Sequence, residues 1–178
     1  MSQGQTSAPP FQVRRHQLSL SGGRLADLQA IDASAAPELA DAIARIDPWR
    51  TLQVKPEELC AFLTADDPHS HRRVVTIAHV AAGVVVVRSP WLFGPYLNLL
   101  AVFPTHQGLG IGTAVLRWIE DEVRGHADNV WLCASSFNAR AIAFYEHHGF
   151  HRIGDLADLV VPGFAEILMR KRLDRNLL

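Results

Sequence analysis

Apolar residues at Ile111, Val115, Ile119 and Val123 recur at four-residue steps, and this period predicts an amphipathic helix over residues 111–124. Just before it, residues 96–103 form a nearly unbroken apolar run, which reads as a buried strand. The same reasoning extends in both directions. Residues 37–46 carry Leu39, Ala42, Ile43 and Ile46 on one helical face, with Pro37 in the first turn and Asp47-Pro48 as the stop. Residues 56–64 predict a second helix with Leu59, Phe62 and Leu63 inward, followed by a turn-rich loop over residues 66–71. Residues 73–81 and 83–88 are rich in β-branched side chains and read as a hairpin broken at Ala82-Gly83. Residues 129–134 predict a strand, 139–148 a helix, and 151–161 and 164–172 two closing strands joined at Pro162-Gly163. Near the start, residues 11–20 alternate loosely as an edge strand would, and residues 24–31 read equally as strand or helix. The order is β-α-α-β-β-β-α-β-α-β-β, with no internal repeat.

Composition narrows the class. A length of 178 residues, 48% hydrophobic and 20% charged, suits one globular domain, expected over residues 11–178 behind a mobile tail of residues 1–10. The formal net charge of -1 argues against a nucleic-acid partner, which would call for a basic excess. The clearest apolar run, residues 81–87, stops at Arg88 and is far too short for a membrane span, and no leader pattern opens the chain. Cys60 and Cys133 fall at apolar positions and read as reduced core residues, so the expected location is cytoplasmic.

Candidate chemistry concentrates where the strand at residues 96–103 meets the helix at 111. Gly108, Gly110 and Gly112 alternate with Leu109 and Ile111 there. Glycines permit positive φ and close backbone approach, and the free N–H groups of a first helical turn attract an anion such as a pyrophosphate. No Gly-Lys pair exists anywhere in the chain, which removes the P-loop. A dinucleotide fingerprint starting at Gly108 would need glycine at Thr113, so that pattern fails too. Gln107-x-x-Gly110-x-Gly112 instead resembles the pyrophosphate loop of the GNAT acetyltransferase superfamily. A second segment, Asn138-x-x-Ala141-x-x-Phe144-Tyr145-x-x-x-Gly149-Phe150, resembles the other signature of that superfamily. Asn138 is also a good N-cap and Gly149 stands where a C′ residue belongs, so local physics supports this helix independently.

The resemblance implies an α/β fold of GNAT type: a mixed, mostly antiparallel central sheet flanked by helices, with strands splayed at an acetyl-CoA site. It implies acetyl-CoA as cosubstrate and transfer of its acetyl group to a primary amine by direct attack in a ternary complex; the alternative is a module that binds CoA without turnover. Gln107, Gly108, Leu109, Gly110, Ile111, Gly112 and Thr113 would cradle the pyrophosphate. Leu100, Ala101 and Val102 would pair with the pantetheine arm, with the N–H of Val102 as an oxyanion donor, and Asn138 would bond the same arm. Tyr145 stands at the position where a phenol is proposed to protonate the departing thiolate, and its ordinary pKa of about 10 keeps it a donor at neutral pH.

One position departs from the pattern. Many relatives carry Glu on the strand before the loop, and the matching residue here is Asn98. An amide cannot accept the amine's proton at neutral pH. Water, a base from elsewhere such as His79 or Glu166, or an inactive site remain open; His79 reads more simply as a hairpin surface residue. Asp47-Pro48-Trp49-Arg50 falls where relatives line the acceptor groove, and residues 91–95 form an apolar loop suited to a lid or a dimer contact. The histidines at 69, 71, 147, 148 and 151 lack a completing ligand at short range, so no metal is expected. The edge potential of the two closing strands favours a homodimer.

Overall fold

The computed structural model describes residues 9–173. The expected tail therefore lies outside the described residues except for Pro9 and Pro10. The strands are β1 (Arg15–Ser19), β2 (Leu25–Ala30), β3 (Ser70–Ile77), β4 (Val80–Trp91), β5 (Gly94–Val102), β6 (Asn129–Ser135), β7 (His151–Ala157) and β8 (Ala165–Arg172). The helices are α1 (Ala36–Ala44), α2 (Pro56–Thr64), α3 (Ile111–Glu122) and α4 (Ala139–His147). All eight strands join one sheet in the order β1-β2-β3-β4-β5-β6-β8-β7, and every pairing is antiparallel except β5 with β6.

Alternation along the strands sends successive side chains to opposite faces. Val84, Val86, Leu99 and Ala101 pack under α1 and α2 with Leu39, Ile43, Leu59 and Leu63. Val85, Val87, Leu97, Leu132 and Met169 pack on the other face under α3 and α4 with Ile111, Val115, Ile119 and Ile142. The four-residue apolar stripe of α3 is fully inward, and Val115 and Ile119 are wholly buried. No helix among the described residues is long and apolar enough to cross a membrane.

Three local expectations need correction or completion. Residues 24–31 are strand β2, because Ala26 and Leu28 alternate into the core while their neighbours face outward. The β3–β4 hairpin turns at Ala78 and His79, both at positive φ, and not at Ala82-Gly83. Ala82 instead falls within β4 where the register with β3 shifts, and Gly83 is required by close packing, since a Cβ there would sit 2.4 Å from the Ala101 carbonyl oxygen. Finally, residues 91–95 are no lid: Trp91 pairs with Gly94 across a tight turn, and Trp131 fixes it by donating Nε1–H to the Leu92 carbonyl at 2.8 Å.

Candidate active site

β5 and β6 run side by side at only two pairs, Tyr96 with Trp131 and Leu97 with Leu132, and then part. The parting begins where β5 carries an extra residue. Val87 pairs with Leu97 and Val86 with Leu99, so Asn98 is bulged out and exposed. A bulge bends its strand and disrupts pairing locally. Beyond it the antiparallel ladder to β4 resumes, with Phe103 N–H bonded to the Ala82 carbonyl at 2.9 Å. Backbone groups alternate along such a ladder, so Leu99 and Ala101 spend theirs on β4 while Leu100 and Val102 present theirs to the slot. Ala101 therefore offers no backbone pairing there, contrary to the expectation for the whole Leu100–Val102 stretch. Gln107 spans the slot: its Nε2 donates to the Val102 carbonyl at 3.1 Å, and its Oε1 accepts from Arg140 on α4 at 3.0 Å.

The loop closing the end of the slot owes its glycines to different causes. Gly110 caps α3 at φ 83, and a Cβ there would lie 2.5 Å from Ser21 Oγ. Gly112 makes room for α4, since its Cβ would come within 2.8 Å of Phe144 Cζ. Gly108, at φ 80 with open space around it, is the one free to approach a ligand. The loop is pinned from behind by Ser21 N–H bonded to the Leu109 carbonyl at 3.1 Å, and Leu109 turns its side chain to the core rather than to the cavity. Among the described residues, no backbone N–H from Gly108 to Thr113 donates to a protein acceptor. Together with the positive end of the α3 dipole, these free N–H groups make a setting that favours an anion. Thr113 Oγ1 lies 2.9 Å from His148 Nε2, which ties the loop to α4.

Around the parted strands, α4, β5, β6 and β8 contribute polar and titratable side chains to the cavity. Asn138 caps α4, its Oδ1 accepting from Ala141 N–H at 3.1 Å, as its position suggested. Tyr145 is buried against Phe144 and Phe150 and lines the cavity, and burial pushes its phenol well above the ordinary value, so it is held protonated more firmly than sequence alone implied. Tyr96 and Cys133 face each other across the two strands. Burial raises both groups, and each feels the other and Glu166. Cys133 therefore lines the cavity and is not the core residue expected, whereas Cys60 sits against the core under α1 and α2. Glu166 lies on β8 directly opposite Ser135 on β6, whose hydroxyl donates to its Oε1 at 2.6 Å. Burial raises this carboxyl, and the Ser135 hydrogen bond draws it partly back down.

These groups line a single cavity of about 1120 Å³ that continues past Asn98 to Trp49 and Arg50. Ligand pockets usually measure ~300–1,000 Å³, so there is room for a cofactor arm and an acceptor together. Arg50 is already engaged by Asp47 at 2.6 Å. His79 is exposed at the hairpin turn and does not reach the cavity, whereas Glu166 lines it; the other carboxylates of its lining, Asp47, which holds Arg50, and Glu58, are exposed. Arg140, Ser135 and Tyr96 were not singled out by either motif, yet all three line the cavity. So do Leu159 and Val160, from the segment between the two closing strands.

The acetyltransferase (GNAT) family model matches residues 36–150. The chain belongs to this family. Among solved structures, this GNAT protein is similar to nourseothricin acetyltransferase at 29% identity, over 62% of this chain and 69% of that one, with a TM-score of 0.55. It is similar in fold to the ribosomal-protein-S18-alanine N-acetyltransferase of Escherichia coli, at 21% identity over 86% and 99% of the two chains and a TM-score of 0.67. It is likewise similar in fold to the spermidine N-acetyltransferase of Vibrio cholerae in complex with CoA and spermine, at 17% identity over 83% and 95% and a TM-score of 0.63. A search of curated protein sequences found no significant match.

Proposed function

We propose that this GNAT protein is an acetyl-CoA-dependent N-acetyltransferase that passes the acetyl group directly to a primary amine in a ternary complex. The observation that carries this reading is the row of unpaired N–H groups from Gly108 to Thr113, set at the end of a slot where two parallel strands part. The pyrophosphate of acetyl-CoA sits on that row, with Arg140 beside it as a countercharge. The pantetheine arm follows the slot as an added strand on Leu100 and Val102, exchanging Gln107 for its own amide at the Val102 carbonyl. Remote anchoring of the nucleotide then orients the thioester between Val102 and Tyr145. The Val102 N–H stabilises the oxyanion, and Tyr145 gives its proton to the departing thiolate. Asn138 adds a hydrogen bond to the arm.

The amines named for related structures, spermidine, a ribosomal-protein alanine and the antibiotic nourseothricin, supply a test panel. Thiol release from acetyl-CoA in the presence of spermidine, nourseothricin or an alanine-terminated peptide tests the reading, and amine-dependent release supports it. A second reading, a module that binds CoA without turnover, is favoured by one observation, the amide of Asn98 where a carboxylate base is common in relatives. Cofactor binding with no amine-dependent thiol release across the panel would favour that reading.

A further inference from the structure

Glu166 poses a question that the cofactor site does not answer. It is 6% exposed, it lines the cavity, and no cation pairs with it among the described residues. Ser135 engages Oε1 at 2.6 Å, and no described donor reaches Oε2, which is nevertheless not sealed from the cavity. A buried carboxylate without a counterion is costly, so a cation entering the cavity would be stabilised beside it. The groups facing it are all neutral at physiological pH: Tyr96 from β5, Cys133 from β6 and, beyond Tyr96, Tyr145 from α4. From β7 the residue opposite is Leu156.

We infer that Glu166 receives the acceptor's ammonium group and serves as its general base, doing from β8 what Asn98 cannot do from β5. The inference rests on the transferase reading above and adds to it that the acceptor arrives as a cation. Oε2 takes one proton from the ammonium and passes it to water in the cavity. The freed nitrogen forms the C–N bond to the thioester carbonyl carbon as the C–S bond breaks. The proton the nitrogen then sheds balances the one the thiolate gains. Ser135 is a positioning residue, holding Oε1 so that Oε2 points into the slot. The upward pull of burial on the carboxyl brings its basicity closer to what the task needs.

The test is kcat/KM against pH for the amine in the panel that wild-type protein acetylates fastest, with Glu166→Gln and Ser135→Ala alongside. In wild type the acidic limb reports Glu166 and the rate levels off above it. In Glu166→Gln, kcat/KM at neutral pH falls about 10²–10³-fold, and the loss shrinks tenfold per pH unit toward the amine's own pKa, about 10 for an alkyl amine and about 8 for a peptide α-amine, because free amine needs no base. Ser135→Ala retains turnover with its acidic limb moved upward, since the bond that favours the carboxylate is gone. A Glu166→Gln loss that is equal at every pH, or absent, overturns the inference and leaves the transferase reading standing. A wild type that binds acetyl-CoA and acetylates no amine of the panel overturns both.

Discussion

Gly110→Ala places a methyl group on a residue held at φ 83, 2.5 Å from Ser21 Oγ and 3.2 Å from Ser21 N. The left-handed backbone alone costs an alanine about 1 kcal/mol relative to glycine. The contact adds to this. Ser21 cannot withdraw its nitrogen without losing the hydrogen bond to the Leu109 carbonyl, worth about 1 kcal/mol, and its hydroxyl must rotate away as well. The total expected is about 2–3 kcal/mol, or a drop of ~4–12 °C in melting temperature for a chain of this size. Gly108→Ala is the internal control. It carries the same backbone strain at φ 80 with nothing within 4 Å, so it should cost only about 1 kcal/mol. Urea unfolding of both variants gives the difference directly, and Ser21→Gly in the Gly110→Ala background should recover part of it, a coupling read from the double-mutant cycle. Equal destabilisation by the two alanines, or no recovery in the double variant, would refute the claim that Gly110 serves the docking of the loop on Ser21.

Tyr145→Phe should lower kcat about 10²-fold or more while acetyl-CoA affinity stays within a factor of about two, measured by thiol release and by calorimetry on the same protein. Ile119→Ala removes a wholly buried side chain from the α3 stripe and should cost ~2–5 kcal/mol in urea unfolding, with little residual capacity of the sheet beneath to close the gap. Burial raises the folded-state pKa of Glu166 above its unfolded value, so stability is full below the unfolded pKa and falls as pH climbs through the folded one. Glu166→Gln should then gain stability over wild type near about pH 7 and show no gain near about pH 4, read from unfolding midpoints at the two pH values.

Local sequence was sufficient wherever one periodicity or one cap decided the outcome. The α3 stripe, the Asn138 cap and the apolar β5 run each specify their element within a few residues, and the glycines mark the turn that leads into α3. What stayed hidden depended on partners far along the chain. Residues 25–30 became a strand because β1 and β3 lie on either side to take its hydrogen bonds and Ala26 and Leu28 enter the core cluster that α3 shares. The Ala82-Gly83 pair looked like a turn, yet Gly83 is small because β5 presses on it, a fact that residues 80–90 do not carry. Gly112 is set by Phe144, 32 positions later, and so looked like part of the ligand loop alone. Glu166 was one of the bases the sequence offered, but what holds it was not legible there. Its pairing with Ser135 spans 31 positions and is made by strand register, so a motif scan of either segment alone finds an ordinary strand residue. Cys133 went the same way: an apolar neighbourhood in sequence faces the slot once β5 and β6 part.

Everything functional above rests on the unpaired N–H groups at the head of α3 acting as the seat of a CoA pyrophosphate. Calorimetric titration of the full chain with acetyl-CoA, with NAD as the control ligand, tests that claim most directly. One acetyl-CoA site of micromolar affinity and no heat with NAD is the expected result. Absence of acetyl-CoA binding, or equal binding of NAD, would contradict it.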